Sequence, residues 1–70
     1  MSAAIRLTVT RGGASVVHTR TRAAHAARLE ELNRLEERRK QAAPTHWGVV
    51  DEWYQAERNA IEALLAGAAP

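Results

Sequence analysis

Three histidines, an acid-free run of arginines and a short cluster of aromatic rings are the residues of this 70-residue sequence with chemistry to offer. Nucleophilic catalysis requires a Cys, Ser, Thr or Lys beside an activating base. The only serines are Ser2 and Ser15, lysine occurs once, at Lys40, and there is no cysteine. Acid–base catalysis needs titratable groups converging in a pocket, which so short a chain can hardly enclose. The acids stand mostly at salt-bridge spacing along helical segments. His18, His25 and His46 fall on three different elements, without the i,i+4 spacing or Cys/His pairing that marks a zinc site. The sequence therefore reads as a non-enzymatic chain with no catalytic residues, no metal and no cofactor.

Binding chemistry is better represented. Residues 1–28 hold Arg6, Arg11, Arg20, Arg22 and Arg28 with no acid; residues 29–43 balance, and residues 44–70 carry four acids against Arg58. The formal charge thus runs +5, 0 and −3 along the chain, and this asymmetry says more than the total of +2. Guanidinium forks match carboxylates and phosphates. An acidic protein surface or nucleic acid is the expected partner, with Arg6, Arg11, His18, Arg20 and Arg22 as the partner-binding face. The same residues serve equally as a solvated, edge-protecting sheet face. Trp47, Trp53 and Tyr54 lie within eight residues. They are expected to plug the core, with Trp47, between the helices, the best candidate for an exposed binding ring. Glu57 stands inside an otherwise apolar stripe, and antiparallel helix packing brings it near Leu32 and Arg28, where an ion pair with Arg28 would satisfy it; the alternative is that it faces a partner's arginine.

Those residues need elements to hold them. Ile5, Leu7 and Val9 alternate with Arg6, Thr8 and Thr10, the period of a half-buried strand. Gly12-Gly13 supplies a tight turn, so residues 4–21 are predicted to form a β-hairpin. A two-residue loop pairs Val9 with Val16 but sets Arg20 opposite Ile5, on the apolar side. A three-residue loop, Gly12-Gly13-Ala14, pairs Val9 with Val17 and Arg6 with Arg20, and collects Arg6, Thr8, Thr10, His18 and Arg20 on one polar face. The hydrophobic pattern favours the second register. It leaves the arginines projecting outward with no internal carboxylate.

Residues 22–43 are predicted as a long helix. They are rich in alanine, uninterrupted before Pro44, and supported by Glu30/Arg34 and Glu36/Lys40 at i,i+4. The narrow Leu29, Leu32, Leu35 stripe can be extended by Ala24, His25, Arg28, Arg39 and Ala42. A second helix over 45–66 is predicted to be capped by Thr45, with Asp51 and Glu52 near its positive end. Its apolar stripe comprises Trp47, Val50, Tyr54, Ile61, Leu64 and Ala68, flanked by Trp53 and Leu65, and Gly67 marks its end.

The fold class is thus α+β: one domain spanning 1–70, an N-terminal β-hairpin followed by an antiparallel two-helix hairpin. Absence of cysteine and of any signal or membrane-spanning run points to the cytoplasm. Arginine and alanine bias point to a high-GC bacterial genome or its phages. A core this small predicts a homodimer or an obligate partner. The function expected is a small protein–protein interaction module, an adaptor or inhibitor. The alternatives are a nucleic-acid-binding regulator using the basic hairpin, and a structural subunit of a larger assembly such as a phage particle.

Overall fold

The computed structural model describes residues 3–41 and 48–67. Strand β1 (Ala4–Arg11) and strand β2 (Ala14–Thr21) form a two-stranded antiparallel sheet. Gly12 and Gly13 join them with φ of 56° and 83°. Two successive left-handed residues make a type I′ turn, whose twist matches that of the flanking strands. Glycine takes this conformation without steric cost, and Asn or Asp at the first position also tolerates it.

The register corrects the sequence expectation. Val9 faces Val16, Leu7 faces His18, Ile5 faces Arg20 and Arg6 faces Thr19. The loop has two residues, so Arg6 and Arg20 are not partners and lie on opposite faces of the sheet. Ile5, Leu7, Val9 and Arg11 share the inner face with Ala14, Val16, His18 and Arg20. Arg6, Thr8 and Thr10 share the outer face with Ser15, Val17 and Thr19, and Thr10 Oγ1 and Ser15 Oγ are hydrogen-bonded at 3.1 Å. An arginine on the inner face is tolerated because a carboxylate waits for it there.

Helix α1 (Arg22–Gln41) follows β2 directly. Thr21 Oγ1 accepts the Ala24 amide proton at 3.2 Å, which caps the first turn. Arg38, Arg39 and Lys40 in the last turn complement the negative end of the helix dipole. The expected positions 42 and 43 lie outside the described residues. Side-chain ion pairs along α1 are i,i+3, not the expected Glu30/Arg34 and Glu36/Lys40: Arg28–Glu31 at 2.6 Å, Glu36–Arg39 at 3.5 Å and Glu37–Lys40 at 3.5 Å.

Helix α2 spans Val49–Leu65, starting later than expected. Its N-cap is Gly48, in extended conformation; the Gly48 amide donates to Asp51 Oδ2 at 3.1 Å, and its carbonyl accepts the Asp51 amide at 3.0 Å. The expected Thr45 cap, with Pro44, His46 and Trp47, lies outside the described residues. At the other end Gly67, with φ of 75°, turns the chain, and its amide donates to the Leu64 carbonyl at 3.2 Å.

The two helices run antiparallel, as contacts at three levels show. Arg22 Nη2 donates to the Leu65 carbonyl at 3.0 Å, Arg28 reaches Glu57, and Arg39 Nη1 stands 3.4 Å from Asp51. The core is small: Leu7, Val9, Leu32 and Ile61 are buried, with Leu29, Leu35, Trp53, Ala56, Leu64 and Leu65 packed around them. His25 completes the apolar face of α1, as its position in the leucine stripe predicts. It is fully buried, and its Nε2–H donates to the Ile5 carbonyl at 2.9 Å, which places the ring hydrogen on Nε2.

The stripe of α2 is rotated from the expected one along its N-terminal half. Trp53 turns inward, whereas Tyr54 is 38% exposed and Val50 62% exposed. The cause is geometric. Burial of Ile61 and Glu57 fixes the C-terminal half against β1, and Arg11 in β1 pairs with Glu52, so Trp53 is the residue of the next turn that meets the sheet.

Candidate partner-binding cleft

Glu57 organises the interior between the hairpin and the helices. It is only 4% exposed, and an isolated buried carboxylate is prohibitively costly. Both of its oxygens are occupied. Arg28 forks onto it, Nε to Oε2 at 3.0 Å and Nη2 to Oε1 at 3.2 Å, and Arg20 Nη1 donates to Oε2 at 3.2 Å. Burial pushes the Glu57 carboxyl pKa up, but the hydrogen bonds and charge of Arg28, with His18 and Arg20, outweigh burial and hold it below the ordinary carboxylate range. Donating to the Glu57 carboxylate in turn raises the Arg28 pKa, against a smaller opposing effect of burial. Three elements meet at this one carboxylate: β2 through Arg20, α1 through Arg28, and α2 through Glu57 itself.

Beside this pair lies a cleft of about 300 Å³, lined by Val9, Val16, His18, Trp53 and Tyr54 over the Arg28–Glu57 ion pair. Its walls are mostly apolar, its polar floor is fixed, and its mouth is open to solvent. The Arg28 guanidinium stands 5.7 Å from the Tyr54 ring centroid, a cation–π contact that holds the ring at the rim. Val16, 42% exposed, and Tyr54 are large apolar side chains left uncovered at its edges. A smaller hollow of about 90 Å³ between the helices is crossed by Arg39, which pairs with Glu36 and Asp51.

The expected binding face is dispersed by the observed register. Arg6 is exposed on the outer face with no hydrogen-bond or ion-pair partner among the described residues. Arg11 is ion-paired with Glu52. His18 and Arg20 face inward, 3.5 Å apart between His18 Nδ1 and Arg20 Nη2, and Arg20 belongs to the Glu57 cluster. Arg22 is exposed but donates to the Leu65 carbonyl at the end of α2. Trp47 lies outside the described residues. The expectation that hairpin arginines lack internal carboxylates is thus overturned for Arg11 and Arg20, because α2 lies over the inner face and brings Glu52 and Glu57 to them.

Cleft residues absent from the expected set are Val9, Val16, Arg28, Trp53, Tyr54 and Glu57. One signal in the sequence pointed to them. Arg20 and Glu57 are each anomalous on an apolar face, and opposite charges out of place on two elements that must pack are each other's remedy.

No family model, curated protein or solved structure matches this chain. Its functional reading therefore rests on its own geometry. Among the described residues no three His, Asp or Glu side chains converge as a metal site would require, and no helix is long and apolar enough to cross a membrane.

Proposed function

We propose that this chain is a small protein–protein interaction module, an adaptor or inhibitor, that takes an apolar anchor side chain of an acidic protein partner into the Val16–Trp53–Tyr54 cleft. The observation that carries this reading is the cleft itself: aromatic and aliphatic walls, left open, above an ion pair already fixed in place. Binding hot spots combine such aromatic walls with a site that needs no rearrangement. Its volume lies at the small end of the roughly 300–1,000 Å³ typical of ligand pockets, suited to one anchoring group.

The hairpin side keeps a positive excess around that anchor. Arg6, Arg11, Arg20, Arg22 and Arg28 outnumber the acids that reach them, Glu31, Glu52 and Glu57. Such an excess favours encounter with an acidic surface. A nucleic-acid reading has less support, since Arg11 and Arg20 direct their charge inward and a continuous phosphate-binding ribbon is not left on the outer face.

Affinity capture from the host, followed by calorimetric titration of the captured protein, tests the proposal. Tyr54→Ala and Val16→Glu should each weaken binding at least tenfold, about 1.4 kcal/mol. Arg6→Gln should mainly reduce its salt sensitivity. Unchanged affinity in both cleft variants would overturn the cleft as the docking site. Capture of DNA or RNA with a steep salt dependence would replace the protein reading with the nucleic-acid one.

A further inference from the structure

The two strands of the sheet differ in how they are finished. β1 is the covered strand, with Leu7 and Val9 buried. No residue of β2 is buried, and from Ala14 to Val17 every residue is exposed. Val16 and Val17, 42% and 45% exposed, put apolar groups on both faces of this one strand.

Hydrogen bonding sharpens the contrast. In a two-residue hairpin the pair next to the loop, Arg11 and Ala14, exchanges both backbone bonds, and bonded and non-bonded pairs then alternate. The inward-bonded positions of β2 are therefore Ala14, Val16, His18 and Arg20. Ser15, Val17 and Thr19 turn their N–H and C=O groups toward the outer edge, where no hydrogen bond is made to them among the described residues. Natural edges are usually protected by a charged side chain, a proline or a bulge. On β1 the corresponding row includes Arg6. On β2 it reads Ser, Val, Thr, with β-branched residues suited to pairing and no charge.

We propose that a second copy of this chain pairs with the free edge of β2, antiparallel about a two-fold axis at Val17, to form a four-stranded sheet ordered β1-β2-β2-β1. This register is self-complementary. Val17 meets its own counterpart and Ser15 meets Thr19 of the partner subunit, each a position whose backbone groups point outward. A two-fold interface requires this reciprocity. The exposed Val17 side chains cover one another on the outer face. On the inner face Val16 comes beside His18 of the partner subunit. Arg20 meets Ala14 and not a second arginine, so no like charges oppose. The pairing stands on the edge, independently of the docking partner proposed above.

Because the chain contains no cysteine, Val17→Cys gives a single thiol at the proposed axis. Under copper–phenanthroline oxidation it should cross-link rapidly to a disulfide dimer, while Thr8→Cys, on the outer face of β1, should remain monomeric. Sedimentation of the unmodified protein should show a dimer, and Val17→Lys should convert it to a folded monomer by circular dichroism. An unmodified protein that is monomeric at high micromolar concentration, or equal cross-linking at both cysteine positions, would overturn the proposal. So would a dimer that persists in folded Val17→Lys. If Val17→Lys fails to fold, the cysteine pair decides. Loss of the dimer in Val17→Lys with partner affinity intact would leave the cleft reading standing and separate the two.

Discussion

At the scale of single residues, Glu57 is the position where substitution is most informative. Removing Arg28 leaves a buried carboxylate with only the single bond from Arg20. Arg28→Ala should therefore cost about 3 kcal/mol, the lower end of what breaking a buried pair costs. Arg20→Ala should cost about 1 kcal/mol, since it removes one contact from a side chain 29% exposed. Urea melts of Arg28→Ala, Glu57→Ala and the double variant should be non-additive by at least about 1 kcal/mol; additivity within about 0.5 kcal/mol would mean that the two groups act independently. The pair also sets a direction with pH. The folded-state pKa of Glu57 is depressed, so its stabilisation is fully present above the unfolded carboxylate pKa and is lost as pH falls through the lower folded value. Melting temperature should drop across this acidic window in the unmodified protein and drop less in Glu57→Gln. Equal acid limbs in the two proteins would assign the loss to other carboxylates.

At the scale of elements, the hairpin, both helices and their order were legible from alternation, from helical spacing and from the glycines. The register was not. Sorting residues of β2 by polarity alone moves Arg20 outward and forces a third residue into the loop. The observed strand keeps the shorter turn because Glu57, distant in sequence, neutralises Arg20 on the inner face. The turn makes a direct test. Apart from the adjoining residues, no atom lies within 4 Å of a Cβ built at Gly12 or Gly13, so the effect of a side chain there is conformational and not crowding against the rest of the fold. Gly12→Asn restores the favoured Asn-Gly pair of a type I′ turn and should leave stability unchanged or slightly raised. Gly13→Val puts a β-branched residue at φ of 83°, and should cost about 1–2 kcal/mol. Thermal melts of the two variants compare them. A three-residue loop would not show this ordering. Helix α2 begins at Val49 because the Asp51 side chain closes the turn on Gly48, a contact that residue type alone does not announce.

At the scale of the whole molecule, the charge gradient along the sequence reappears as a fold that brings its basic beginning against its acidic end. Arg11 with Glu52, Arg20 and Arg28 with Glu57, and Arg39 with Asp51 all join distant segments. The gradient is legible in the sequence and suggests an external anionic partner; packing shows that much of the complement is internal. The cleft was less legible, because it depends on Trp53 and not Tyr54 turning inward, the reverse of what helical spacing alone favours. The Glu57 cluster has a further consequence, for the order of events in folding. One carboxylate joins β2, α1 and α2 across 37 residues to Arg20 and 29 to Arg28. Closing loops of that length precedes any benefit from the contacts, so the cluster belongs to the last docking step. In stopped-flow chevrons, Glu57→Gln should steepen escape from the native state, raising the unfolding rate while barely altering the refolding rate, a φ-value near zero. The same change in a turn residue such as Gly13, whose contacts are local, should appear mainly in the refolding limb. One carboxylate thus acts as a latch on the finished structure, governing how long each molecule stays folded more than how quickly it gets there.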